Sequence, residues 1–195
     1  LRVRYPKEHK ARAKATIVRE AARTLKENGF QGVGVDGLAA SAQVTSGALY
    51  SNFANKEAVL EEVVATQLGA EFAGLADQEP AERRRLLSEI LRMYLSDAHR
   101  DDAGHGCVMP SLSTDVARAG APVREAYRRR IVEVIAALAL VMRGTQEEQT
   151  AQAWTLVASI VGAITIARAL PAGDEAHAVL DAVLTSATQS ITDEP

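Results

Sequence analysis

At 195 residues, with 47% hydrophobic and 4% aromatic side chains, the chain has room for a substantial core, as one larger domain or two small ones. Six prolines and an almost complete lack of β-branched alternation exclude a sheet-based architecture and predict an all-α fold. The net charge of −3 is unevenly spread: residues 1–60 hold ten Lys/Arg against five Asp/Glu, leaving −8 for the rest, whose basic residues are all arginine. A basic N-terminal module on an acidic body is the footprint of a DNA binder, although a solvated helix face gives the same tally.

The periodicity predicts about nine helices. The first spans residues 9–28, with Ala13, Ile17, Ala21, Ala22 and Leu25 as its apolar stripe and Gly29 just past its end. A second runs over 35–42, where Val35, Leu38, Ala39 and Ala42 recur at i, i+3, i+4 and i+7. Gln43 and Val44 form a turn, and Thr45 stands where an N-cap belongs. The third helix, 46–52, buries Leu49 and Phe53 and shows Ser46, Gly47, Ala48, Tyr50, Ser51 and Asn52 on its other side. Helices over 56–76 (capped by Asn55), 80–98, 111–118, 122–142, 145–170 and 174–191 follow, with a Gly- and Asp-rich break at 100–110. Thr145 and Glu148 have capping-box spacing.

Two short helices joined by a tight turn, the second small and polar on its outer face, suit a helix-turn-helix laid into the major groove, because bulky side chains would hold the backbone away from the bases. Ser, Thr and Asn can read base edges and Ala48 can meet a thymine methyl, whereas this helix has no arginine for a guanine.

Leu38-Ala39, Ala42-Gln43-Val44-Thr45, Gly47-Ala48-Leu49-Tyr50-Ser51-Asn52-Phe53 and Lys56-Glu57-Ala58-Val59-Leu60, with Asn28-Gly29-Phe30 upstream, together resemble the DNA-binding region of the tetracycline-repressor (TetR) family of bacterial transcriptional regulators. The resemblance is specific over residues 9–62. It departs at Gln43, where the family usually has glycine, and at Gly34, where a Ser or Thr hydroxyl often stands. It implies a helix-turn-helix domain over 1–56 and a helical ligand-binding and dimerisation domain over 57–195. Gly34, Thr45, Ser46, Gly47, Ala48, Tyr50, Ser51, Asn52 and Lys56 become DNA contacts, with Tyr50 and Lys56 on phosphates. Arg2, Arg4 and Lys7 either reach a minor groove as an arm or have no such role.

The resemblance further implies a homodimer reading a palindromic operator in double-stranded DNA, most simply as a repressor released by a small-molecule effector. Its interface is expected at Ala153, Val157, Ile160, Val161, Ile164, Leu180, Val183, Leu184 and Ala187, and its pocket at Tyr94, Met109, Leu112, Tyr127, Val134 and Trp154. Each pocket residue is equally readable as plain core, and the alternative to the interface is an ordinary buried helix. His99, Asp101, Asp102, His105 and Cys107 fall close together, but their spacing matches no closed zinc pattern and a polar loop explains them equally well. Cys107 reads either as a sensor thiol or as a small buried hydrophobe. No phosphate loop, nucleophile elbow or paired metal-binding histidines point to catalysis, and no metal or cofactor is expected. One cysteine, no uncharged apolar run of membrane-spanning length and no apolar signal segment suggest a cytoplasmic protein. The alternatives are a helical small-molecule-binding or enzymatic bundle without specific DNA binding, and a DNA architectural protein that answers to no ligand.

Overall fold

The computed structural model describes residues 7–192. Among them are ten α-helices and one 3-10 turn: α1 (Lys7–Gly32), α2 (Val35–Ser41), α3 (Ser46–Tyr50), α4 (Lys56–Gln67), a 3-10 turn (Ala70–Phe72), α5 (Pro80–Tyr94), α6 (Asp97–Asp101), α7 (Val108–Arg118), α8 (Ala121–Ala139), α9 (Gln146–Ala169) and α10 (Asp174–Thr192). The all-α expectation holds. α1 packs on α2, α4 and α7; α4 packs on α8, and α8 on α9, which pairs with α10. One apolar cluster extends from Ile17 to Ile191, so the N-terminal helices and the body share a continuous core.

Gly29, at φ 72° and ψ 165°, breaks α1 where the sequence places its end, and a short helical segment continues to Gly32. The capping box at Thr145 and Glu148 forms, and Pro80 and Pro122 sit in the first turns of α5 and α8. Two helices are shorter than their periodicity suggests. α4 stops at Gln67 instead of near residue 76, because Leu68 is extended and Gly69 is left-handed at φ 72°. A Cβ on Gly69 would lie 2.1 Å from Cγ2 of Val134 on α8, so the crossing of the two helices needs both the positive φ and the missing side chain. α5 ends at Tyr94, and Ser96 caps the additional helix α6, its hydroxyl accepting from the His99 amide at 3.2 Å. α6 holds Arg100, buried and paired with Asp97 and Asp101. From α9, Arg168 Nε donates to the Arg100 carbonyl at 2.9 Å and Nη2 to the His99 carbonyl at 2.9 Å, fixing α6 on the body.

Gly69→Ala is expected to destabilise the protein by about 1–3 kcal/mol, as overpacking in a dense core does. Adding Val134→Ala should restore only the part due to the clash, leaving the cost of the left-handed backbone; thermal or urea denaturation of the three proteins reads both.

Candidate nucleic-acid interface and ligand cavity

The turn between α2 and α3 is a Schellman closure. The amide of Val44 donates to the Ala39 carbonyl at 2.9 Å and that of Gln43 to the Ala40 carbonyl at 3.0 Å. This geometry demands a left-handed residue at position 43, and Gln43 supplies it at φ 55°, the one positive φ outside glycine among the described residues. Thr45 then caps α3, its hydroxyl accepting from the Ala48 amide at 3.1 Å. Ser46 Oγ donates to Asp36 Oδ1 at 2.6 Å, tying the start of α3 to the first turn of α2. Leu49, Phe53, Leu38 and Ala39 are buried beneath.

What remains outside is the predicted reading face. Thr45, Gly47, Tyr50 and Ser51 are exposed, Tyr50 by 53%, while Ser46, Ala48 and Asn52 are partly covered. Ser51 Oγ and Asn52 Nδ2 both donate to the Ala48 carbonyl, at 2.7 and 2.9 Å, so contacts to bases would draw on their remaining donor and acceptor capacity. Gly34 is exposed at the N-cap of α2 and offers no side-chain cap. Lys56 opens α4, where Asn55 Oδ1 accepts from the Ala58 amide at 2.8 Å. Its ammonium donates to the Phe30 carbonyl and lies 4.1 Å from the centre of the Phe30 ring. Lys56 therefore anchors the end of α1, a structural duty that the sequence does not reveal. Arg2, Arg4 and the side chain of Lys7 lie outside the described residues.

Two further bonds join α1 to the body. The Phe30 amide donates to Asp115 Oδ2 on α7 at 3.1 Å, and Lys26 Nζ donates to the Gly106 carbonyl at 2.7 Å. The Lys26 ammonium also lines a cavity of about 300 Å³ with Glu71, Tyr94, His99, Gly106 and Cys107. Burial lowers the pKa of Lys26 and likewise that of His99. His99 is committed at both nitrogens: Nδ1 lies 2.6 Å from the Tyr94 carbonyl, and Nε2 accepts from the Cys107 amide at 3.0 Å. The only tautomer that satisfies both is neutral, with its proton on Nδ1. A Cβ on Gly106 would lie 2.7 Å from that Nε2, so the backbone must be bare there. Burial pushes the Cys107 thiol well up, and the Glu71 carboxylate beside it acts in the same direction. This is the inert thiol of a buried hydrophobe, without the stabilised thiolate a reactive cysteine needs. The acidic residues nearby are spent on other partners, Asp101 on Arg100 and Asp102 on His105. Among the described residues no group of three His, Cys, Asp or Glu side chains is placed to hold a metal ion.

Residues 17–63 match the family model described as bacterial regulatory proteins, tetR family. Over that stretch the chain is similar to the TetR family of transcriptional regulators. Its fold is similar to that of NemR from Escherichia coli in the reduced form, at 20% identity and a TM-score of 0.76, covering 94% of this chain and 98% of that one. A TetR transcriptional regulator from Legionella pneumophila aligns at 15% identity and 0.74, covering 91% and 96%. A TetR-family regulator from Agrobacterium tumefaciens aligns at 18% and 0.72, covering 94% and 99%. At these identities the likeness is one of fold. No curated protein matches the sequence.

The structure also places the two sets of residues predicted for the pocket and the interface. Of the predicted pocket, Tyr94 alone lines the cavity. Met109, Leu112 and Val134 are closed into the core, and Tyr127 is half-buried with its hydroxyl 2.9 Å from Ser113 Oγ. Trp154 is 43% exposed on α9, beside a shallow depression away from the cavity. Of the predicted interface, Ala153, Val157, Ile160, Ile164, Leu180 and Ala187 are buried in the protein's own core, and Val161, Val183 and Leu184 are partly covered. Most of these residues lie on the seam that joins α9 and α10 to the bundle, while Val183 and Ala187 also line the groove between the two helices. The face that α9 turns outward carries Ala151, Thr155, Ala158, Ser159, Thr165 and Ile166.

Two outcomes check the local chemistry. Gln43→Gly should stabilise the protein by about 0.5–1 kcal/mol, since glycine adopts the left-handed backbone without strain but carries more unfolded-chain entropy. His99 gives a pH dependence. Its folded pKa lies below the ordinary 6.5, so the unfolded chain binds the extra proton first as acid is added. The stability contributed by the neutral ring is therefore present above about pH 6.5 and is lost as pH falls through the folded value. The melting temperature should drop more steeply with acid in the natural protein than in His99→Gln.

Proposed function

We propose that the protein is a homodimeric one-component regulator, acting as a repressor, that binds a palindromic operator and is released by a small-molecule effector. The observation that carries this reading is the exposed face of α3, capped by Thr45 and seated on a buried Leu49, in a chain whose N-terminal region matches the tetR family model. Residues 1–56 form the reading module in this scheme, and residues 57–195 hold the effector and the partner chain. Tyr50 and Lys56 are assigned to phosphates: the exposed phenol donates one bond, and the ammonium has donors left beside its bond to Phe30. Gly34 presents its bare backbone to a phosphate. Thr45, Ser46, Gly47, Ala48, Ser51 and Asn52 face the base edges.

Two-fold operators require a two-fold protein. By length and composition α9 is apolar enough to cross a membrane, yet only 39% of its most apolar window is buried. Its outward hydroxyls make no polar demand of their own. Thr155, Ser159 and Thr165 donate to the carbonyls of Ala151, Thr155 and Val161 on the same helix, at 3.0, 2.8 and 2.7 Å. This outward face, with the groove of about 400 Å³ between α9 and α10, is the surface we assign to the partner copy. The cavity behind α1 is assigned to the effector. A ligand that fits the cavity better in one arrangement of α1 than in another shifts the spacing of the two α3 helices away from the 34–36 Å between successive major grooves.

Genomic fragment selection with the purified protein should enrich a palindromic site, and binding should weaken steeply with salt. A helical bundle without DNA specificity would show neither. Tyr50→Ala should weaken binding to all sequences alike, whereas Asn52→Ala should change the preference at particular bases. Ala158→Arg on the outward face of α9 should yield a monomer by light scattering and lose operator affinity while keeping its melting temperature. A dimeric Ala158→Arg would remove that face from the interface.

A further inference from the structure

The cavity behind α1 holds two buried polar atoms that the protein leaves without a hydrogen bond, Tyr94 Oη and Glu71 Oε1. Tyr94 is 1% exposed, and its ring is held between Phe72 and His99, with centroids at 6.4 and 4.5 Å, so the hydroxyl is fixed in place. Both lie beside the Cys107 thiol, a weak donor that burial keeps protonated. An unpaired buried group of this kind destabilises the fold, a loss that phenylalanine or an apolar residue at the same position would avoid. Polar demand retained at such a cost, on the wall of a cavity, points to a ligand that meets it.

The chemistry of that ligand follows from the walls. Glu71 Oε1 accepts only, and Tyr94 Oη both donates and accepts. Glu71 repels an anion, while Lys26 on the opposing helix and Arg168 behind Cys107 disfavour a cation. An uncharged hydroxyl both donates and accepts through a single atom. The remaining wall is apolar, with Ala70, Met93 and Val108, and about 300 Å³ is the lower end of the usual range for small-molecule pockets. We propose that this cavity binds a small phenol or alcohol of about one ring, whose hydroxyl donates to Glu71 Oε1 and accepts from Tyr94 Oη, with its apolar part resting on Ala70, Met93 and Val108. The inference rests on the reading of the protein as a ligand-responsive regulator and specifies the ligand. Lys26 is the only lining residue within 1–56, so a bound molecule is felt directly by α1 through the Lys26–Gly106 bond.

The test uses the full chain and two probes of nearly equal shape, 4-fluorophenol and 4-fluoroanisole, titrated by fluorine NMR and calorimetry. The phenol should bind once per chain and at least about tenfold more tightly than the ether, which has lost the donor. Tyr94→Phe and Glu71→Gln should each weaken the phenol by about tenfold, and Glu71→Gln should leave the ether, which has no hydroxyl to donate, unchanged. Tyr94→Phe should also melt higher than the natural protein without ligand. Equal affinity for the two probes, or full phenol binding by Tyr94→Phe, overturns the proposal, as does no binding at millimolar phenol. Duplex DNA binding is measured on the same samples. Salt-dependent DNA binding without phenol binding sinks this inference alone, whereas phenol binding by a protein with no DNA affinity upholds it and sinks the regulator reading.

Discussion

The double duty of α1 is the constraint on which the rest of the structure depends. Its apolar stripe, Ile17, Val18, Ala21, Ala22 and Leu25, is fully used, because α2 and α4 pack on one part of the helix and α7 on another. Its C-terminal end is pinned three ways: the Phe30 carbonyl accepts from Lys56, the Phe30 amide donates to Asp115, and Lys26 reaches the Gly106 carbonyl. A helix clamped between the short helices α2 and α3 and the body cannot shift relative to one without straining the other. The break at Gly29 places the two Phe30 bonds on a segment that leaves the helix axis, which lets the end of α1 reach sideways to Lys56 and Asp115.

The second feature is the unequal treatment of polar groups. Across most of the body they are met: Arg168 holds two carbonyls of α6 and Ser111, Arg83 caps the loop before α5 through the carbonyls of Leu75, Ala76 and Gln78, and His99 is satisfied on both sides. Against that background Tyr94 and Glu71 stand out. Their unpaired atoms lie on the wall of the cavity behind α1, and Arg130 Nε is the further buried side-chain atom left without a partner among the described residues.

Much of the fold was legible because its signals are local. Thr45, Asn55, Pro80 and the Thr145–Glu148 pair each bear on a few neighbouring residues, and each sits where its spacing puts it. The end of α4 was not legible, since an apolar pattern continues through Leu68 and Phe72, and only the crossing of Val134 over Gly69, 65 residues apart in sequence, forces the break. The outward face of α9 was not legible for a related reason. Periodicity reports that a face is buried without saying by what, and the strongest stripe of α9 belongs to the protein's own core. The outward face is written in alanine, threonine and serine, whose hydroxyls look polar in a sequence but are turned back onto their own helix. The cavity was missed because Lys26, Glu71 and Cys107 come from three distant segments, and only their convergence gives them meaning.

The five-residue length of α3 has a consequence of its own. So short a helix is far below the length that holds in water unaided, and it persists only through its cap and the seating of Leu49 in the core. On the proposed function, operator binding is thus a direct report on the integrity of the whole module. For a repressor this makes damage and signal indistinguishable at the gene: a heat-weakened molecule and a liganded one both let go. A cell carrying a marginal variant would express the controlled genes as though the effector were always present, and the fault would surface as constitutive expression long before any loss of the protein itself.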